Sequence, residues 1–367
     1  MGELPVYKFV METDDFRWFR SNVGTPRCFA GELQRNGQSI PAWIGYRGRF
    51  SRYCPKPSFD IWLDPRSAAD DAGPLHLNAA FYDPSLLRGR FAFEVMERIG
   101  VPCPGARHIW FMLGDLPMGL YTAFESANEH WLRRRGLAAD AIYYAVGGRG
   151  NFGLLDRHSG KAKRYLTSGY EKAFPDNDDL TDLKALVEAV VFAEDDEFRE
   201  QIAETLDVDL YLRWHAGLVF ASHTDGFVHN YALYKAHGQP WRISPWDCDG
   251  TFGRTPSGSR LPATYMQAFG HGSNYLTARL LADPVWRARY VDLFTQLLSD
   301  QLTEPVLMEQ LLSIYREIRP HVLADERKLL SNSTFQREPN RIRHYIRERI
   351  AFLQAQLSEA AMAGATM

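Results

Sequence analysis

The sequence predicts an α+β protein of two unlike lobes, and three observations point there. The chain has 367 residues, about two domains' worth at roughly 150 residues each. From Leu4 to about Glu125 it reads as short strands with one clear helix. After about Ala127 helical patterning dominates. The expected division is therefore residues 1–127 and 128–367. Composition agrees with a packed protein: 45% hydrophobic and 24% charged residues exclude the charge-rich, aromatic-poor chemistry of disorder. The 13% of aromatic residues supply bulk for a deep core or for grooves.

In the first half, Leu4 to Met11 has strand character, and Ala42 to Tyr46 and Phe59 to Leu63 are short apolar runs flanking the loop RGRFSRYCPKP. Ile109 to Leu113 and Leu120 to Phe124 follow. The helix is expected from Pro84 to Ile99, because Asp83 can cap its free amides, Pro84 suits a first helical position, and Gly100 with Pro102 ends it. Leu87, Phe91, Val95 and Ile99 recur every fourth residue and predict an apolar stripe lying on a small sheet.

The second half reads as helices at Leu180 to Phe192, Asp195 to Thr205, Asp207 to Ser222, Asp283 to Leu298, Thr303 to Ile318 and Pro339 to Leu357. The last three open on Asp283-Pro284, Thr303-Glu304-Pro305 and Glu338-Pro339. One strand pair interrupts them: Tyr231 to Tyr234 and Trp241 to Ile243, joined by KAHGQP around Gly238. A hairpin alone among helices is not stable unsupported. The Ala-rich tail after Ser358 is expected to fray.

Charge and cysteines narrow the function classes. Lys+Arg 42 against Asp+Glu 45 gives −3, so no global field recruits nucleic acid or an anionic membrane. Cys28, Cys54, Cys103 and Cys248 are widely spaced without a CxxC pair, which suggests neither a structural zinc site nor a disulfide framework and fits a reducing compartment. Glu3, Glu12, Asp14 and Asp15 stand where an export signal needs a basic start and an unbroken apolar stretch. No window has the apolar length of a membrane span. A cytoplasmic protein with no nucleic-acid or membrane partner is the expectation.

The densest polar constellation is residues 222–253. Asp225 and Asn230 stand in a D-x-x-x-x-N spacing leading into the first hairpin strand, and Asp247 and Asp249 leave the second strand before Gly250 and Gly253. A hairpin brings its two outer ends together, so three carboxylates and an amide are expected to converge. Such oxygens suit a hard cation such as Mg²⁺, without which three acids repel one another. Phosphoryl transfer uses this arrangement: one Asp receives or orients the attacking hydroxyl's proton, an Asn five residues on holds metal, and an Asp after the next strand bridges metal to nucleotide phosphates. Asp225-Gly226 and Asp249-Gly250 are also common turn dipeptides, and either pair alone would say no more than that.

DGFVHNYALY followed by PWDCDGTFG resembles the signature of the CotH family, the spore-coat-type atypical protein kinases. The resemblance runs through nearly the whole chain: Leu4-Pro5-Val6, Arg47-Gly48 with Pro55-Lys56 and Ser58-Phe59, Asp83 to Arg88 through Gly100-Val101-Pro102, Gly119-Leu120-Tyr121 with Glu125, Asp207-Val208-Asp209, and Arg347-Glu348-Arg349. It implies a bilobal protein-kinase-like fold, a nucleotide-binding N-terminal lobe and a catalytic helical lobe. It also implies ATP with Mg²⁺ or Mn²⁺, and transfer of phosphate to Ser or Thr of a protein or peptide substrate. Under it Asp225 is the catalytic Asp, Asn230 a metal ligand, Asp247 the metal-binding counterpart of the kinase DFG aspartate, and Asp249 a second or the principal ligand. The helix becomes the kinase αC equivalent, with Glu94 or Glu97 to pair with Lys56 as the phosphate-binding lysine. Lys56 precedes an apolar strand run, where a compact positive charge can meet a triphosphate. Arg47 and Arg49 around Gly48 can cover phosphates, and Glu125 falls where the lobes join, either to reach a nucleotide or to stand as a hinge Glu bonded to solvent.

Two patterns are decoys. Gly148 to Gly153 satisfies G-x-G-x-x-G, but the following LLDRHSGKAKRYL lacks the helical periodicity a dinucleotide fingerprint must open. His215, His223 and His229 lack zinc-ligand spacing and read as hydrogen-bonding rings around the loop. Arg133 to Arg135 and Arg341 to Arg349 read as solvated helix faces. Two rival functions share the same scaffold, a nucleotidyl transfer or ATP-driven ligation on a peptide and a nucleotide-binding pseudokinase.

Overall fold

The computed structural model describes residues 3–66, 73–156 and 159–364. The first half holds β1 (Val6–Val10), α1 (Thr13–Ser21), β2 (Phe29–Arg35), β3 (Gln38–Tyr46), β4 (Phe59–Leu63), β5 (Pro74–Asn78), α2 (Arg88–Arg98), β6 (Ala106–Leu113) and β7 (Leu116–Phe124). Its strands close into a barrel in the order β1-β2-β3-β4-β5-β7-β6, sealed by the parallel pairing of β1 with β6. The small sheet with one helix expected from the sequence is thus a seven-stranded closed barrel with a second helix, α1. Closure leaves no edge to protect. It also turns alternate residues such as Phe9, Ile44, Ile61, Leu77 and Phe111, all at 0% exposure, into one interior cluster. Strands β2 and β5 escaped the sequence reading because their apolar residues alternate with Gly, Glu, His and Pro.

Helix α2 departs from expectation at its start, while its end, with Ile99 as C-cap before Gly100 at φ 83°, falls where it was read. It begins at Arg88, not Pro84, because Leu86 has φ 55°, left-handed backbone that no helix continues. Asp83 still caps it, accepting from the N–H groups of Ser85 at 2.9 Å and Arg88 at 3.0 Å. The stripe Leu87, Phe91, Val95 and Ile99 belongs to the core of the helical half rather than to the barrel interior. Where α2 meets the helix carrying Gly217, a Cβ there would lie 2.4 Å from Met96 Sδ, so any larger residue would have to displace the Met96 side chain.

The second half comprises α3 (Glu129–Arg134), β8 (Ala139–Ala145), β9 (Tyr170–Phe174), α4 (Thr181–Phe192), α5 (Asp195–Thr205), α6 (Val208–Ala221), β10 (Tyr231–Ala236), β11 (Trp241–Pro245), α7 (Tyr275–Ala282), α8 (Pro284–Asp300), α9 (Glu304–Ala324) and α10 (Asn332–Gly364). The hairpin β10/β11 is not alone: β8 and β9 extend it to a four-stranded sheet in the order β11-β10-β8-β9, which supplies the support a lone hairpin lacks. Helix α10 starts at Asn332 and carries Pro339 inside, instead of starting there, and the tail expected to fray continues it to Gly364. Helix α8 begins where it was read to begin, with Asp283 as its cap, accepting from Val285 and Trp286 N–H groups. No described helix is long and apolar enough to cross a membrane.

Candidate active site at the seam of barrel and helices

The antiparallel register of β10 and β11 places Tyr231 opposite Pro245, so the residues just outside them meet. Trp246 N–H donates to the Asn230 carbonyl at 3.0 Å, with Asn230 at φ 62°, a left-handed position that Asn tolerates. Upstream, α6 ends at Ser222, and the chain turns back so that His223 N–H donates to the Leu218 carbonyl. The His223 ring bonds the Asp247 carbonyl through Nε2 at 2.7 Å. Burial lowers the His223 pKa although the charges of Asp225 and Asp247 both reach it and oppose the fall. It is a neutral ring whose Nε2–H ties the Asp225 loop to the Asp247 segment. These ties set Asn230 beside Trp246 and the His223 ring against Asp247, with Asp225 two residues on from that ring.

Asp249 lies across the seam. Its Oδ2 accepts from Asn78 Nδ2 at 2.9 Å, the amide being oriented by the Ala80 N–H on Asn78 Oδ1 at 2.8 Å. A Cβ on Gly89, in the first turn of α2, would lie 3.6 Å from Asp249 Oδ1. Burial and the neighbouring Asp247 push the Asp249 pKa up to about 7. Two adjacent carboxylates in a partly desolvated site are short of positive charge. Arg47, at the end of β3, supplies some: Nη2 stands 3.4 Å from Asp247 Oδ2 and Nη1 3.4 Å from Asp60 Oδ1, with the guanidinium over the Trp246 ring at 5.3 Å. Burial would lower the Arg47 pKa, but Asp60, Asp247 and Asp249 outweigh it and raise it.

The acidic donors are hard oxygens, the carboxylates of Asp247 and Asp249, and Asn230 is tied to the same segment through its backbone carbonyl. Among the described residues no three His, Cys, Asp or Glu side chains close into a ready-made metal cage. Mg²⁺ is usually held by one or two carboxylates completed by substrate phosphates and water, so a pair of acids with one shared arginine, 3.4 Å from Asp247, fits it.

The remaining expectations fare differently. Arg49 is exposed on the loop after β3. Lys56 needs correction: its ammonium is 0% exposed and closed off, donating to the Leu120 carbonyl and to Asp325 Oδ2, both at 2.6 Å. Neither expected glutamate is its partner. Glu94 binds Arg90 and Gln310, each at 2.9 Å, and Glu97 takes the Cys103 N–H at 2.6 Å and Arg135 at 2.8 Å. The reason is placement: on α2, Glu94 faces Gln310 within α9 and Glu97 faces Arg135 after α3, while Lys56, in the loop between β3 and β4, meets Asp325 at the C-terminal end of α9. Glu125 is engaged by Arg134 at 2.6 Å and Arg107 at 3.1 Å, while its neighbour Ser126 bonds the His76 ring. The glycine loop opens no helix, and Gly150 N–H donates to the Val228 carbonyl at 3.0 Å, against the Asp225 to Asn230 loop.

Asp60, His76, Asn78, Ser126 and Trp246 were missed, whereas His223 is the hydrogen-bonding ring it was read to be. One signal was present, an acid inside the apolar run FDIWL.

Comparison with known proteins matches residues 44–353 to the family model described as CotH kinase protein. Inner spore coat protein H of Bacillus subtilis (strain 168) is 33% identical over 359 residues, covering 97% of this chain and 98% of the relative. An inner spore coat protein H-like protein of the same organism is 25% identical over 290 residues, 77% of this chain and 80% of that one.

Proposed function

The chain belongs to the CotH kinase protein family, and we propose that it is an ATP- and Mg²⁺-dependent phosphotransferase acting on Ser or Thr of a protein or peptide. The barrel is read as the nucleotide-binding lobe and the helical half as the catalytic lobe of a kinase-like arrangement. The observation that carries the reading is the pair of ties that gather the acids: His223 to the Asp247 carbonyl, and Trp246 to the Asn230 carbonyl.

Bound Mg²⁺·ATP supplies the transferable phosphoryl group and the positive charge that neutralises it. Asn230, Asp247 and Asp249 would hold the metal. Asp225 would take the proton of the acceptor hydroxyl as the hydroxyl oxygen bonds the γ-phosphorus and the bond from that phosphorus to the β,γ-bridging oxygen breaks, releasing ADP. Arg47, not Lys56, is the cation placed to face phosphate oxygens, since its guanidinium has donors to spare and Lys56 is enclosed. Cys28, Cys54, Cys103 and Cys248 are all free thiols, which supports a reducing, cytoplasmic setting.

The test is incubation with ATP and Mg²⁺ or Mn²⁺ and a Ser/Thr-rich protein acceptor, read by intact mass. Added phosphoryl mass, lost in Asp225→Asn, supports the proposal. Added nucleotidyl mass replaces it with nucleotide transfer, and transfer undiminished in Asp225→Asn removes the general-base role.

A further inference from the structure

Arg47 is shared between two acids and gripped closely by neither, at 3.4 Å from each. The cause lies behind it. Asp60 and His76 are direct cross-strand partners on β4 and β5, and His76 Nδ1 lies 2.6 Å from Asp60 Oδ1. On the far side of the ring, Nε2 is 2.8 Å from Ser126 Oγ, which is also 2.8 Å from the Pro74 carbonyl. Ser126 has one proton and two takers. Whichever it serves, only an N–H on Nδ1 is compatible with a carboxylate oxygen at 2.6 Å.

His76 and Arg47 therefore meet Asp60 on the same oxygen, Oδ1, and His76 holds the short bond. Asp60 is thus prevented from closing a tight two-pronged ion pair with the guanidinium. Trp246 keeps the group together from the helical side, packing edge-on against His76 at 5.9 Å while its ring lies under Arg47. Ser126, His76 and Asp60 form a chain across three barrel strands or their ends, terminating in a half-released arginine at the acid cluster.

We propose that Asp60 and His76 are positioning residues for Arg47, holding it as a counter-ion that exchanges partners. Without ligand Arg47 neutralises Asp247. When a divalent cation takes Asp247, Asp60 retains the guanidinium in the cleft, where its freed N–H groups pair with polyphosphate oxygens. This rests on the phosphotransferase reading above and adds the residues that decide where its arginine stands.

The experiment is calorimetric titration with Mg²⁺ and a non-hydrolysable ATP analogue, alongside binding of Mn²⁺ alone followed by its paramagnetic signal. Arg47→Met is expected to weaken the analogue tenfold or more while tightening Mn²⁺ alone a few-fold, because a competitor for Asp247 is gone. Asp60→Ala is expected to weaken the analogue, and the double variant to bind no more weakly than Arg47→Met, since Asp60 acts through Arg47. His76→Phe loses several-fold, and His76→Asn, which restores an N–H toward Asp60, recovers part. Should Asp60→Ala fail to fold, the isosteric Asp60→Asn answers the same question. Additive losses, or Mn²⁺ bound no more tightly by Arg47→Met, overturn the proposal while leaving the phosphotransferase reading intact. A wild-type protein that binds no Mg²⁺-analogue overturns both.

Discussion

Two cations cross from the barrel to the helical half, and they are opposites. Lys56 meets Asp325 at 2.6 Å with side-chain exposures of 0% and 1%. The same Asp325 oxygen takes the Leu120 N–H at 3.0 Å, and the other takes the Arg327 N–H at 2.9 Å. Every polar group named in that set has a short partner, and burial lowers the Lys56 pKa only against the opposing pull of Asp325. Arg47 makes two long contacts, and its partner Asp247 is 26% exposed. A dry, short, saturated pair fixes two parts of a fold together, whereas a long, shared, part-wet contact leaves donors for a ligand. Sequence position favoured the lysine for the phosphate, and packing assigned it to the clamp.

The largest test of this contrast is Lys56→Met. Leaving Asp325 buried and unpaired is expected to cost about 3–5 kcal/mol in denaturant unfolding. Adding Asp325→Asn, which removes the orphaned charge and keeps an acceptor for Leu120, recovers part of it. A Lys56→Met protein that unfolds like wild type but no longer binds nucleotide would reverse the two assignments.

Next in size is Gly119→Ala. Gly119 sits at φ 93°, and a Cβ there would lie 2.3 Å from Asp325 Oδ1, so the substitution strains the backbone and pries at the clamp. A loss of roughly 1–3 kcal/mol is expected by the same unfolding measurement, with nucleotide affinity kept within a few-fold. An unchanged midpoint would show that Asp325 does not seat against this turn.

The smallest effect is at the other pole. Asp249 has its pKa raised from 3.8 to about 7, so across that window the native protein holds a proton the unfolded chain has lost, and stability falls as pH rises. Asp249→Asn removes that fall and is expected to raise the unfolding midpoint at pH 8 by roughly 1–3 °C in metal-free buffer, while weakening Mn²⁺ binding. A midpoint lowered at pH 8 would mean that the acid pair is not short of positive charge.

The parts legible beforehand were those whose cause is local. Helices α6 and α8 begin where they were read to begin, with Asp207 and Asp283 as their caps, because a cap needs only a side chain and amides two or three residues away. The hairpin that gathers Asn230 and Asp247 was visible for the same reason, its turn and strands lying within one short stretch. Leu86 was not: its left-handed backbone shifts the start of α2, and nothing in Pro-Ser-Leu announces it. Barrel closure was hidden too, since the pairing of β1 with β6 joins residues about a hundred positions apart in mostly polar-interrupted strands.

Turn geometry within one short stretch was enough to bring Asn230 beside Trp246 at the open end of the hairpin, one residue from Asp247. Which positive charge faces that acid was settled by long-range packing: Lys56 and Asp325 stand 269 positions apart, while Arg47 and Asp247 stand 200 apart. An ion's role depends on how much water and how many competing partners surround it, and those are properties of the assembled volume that no local stretch of chain contains.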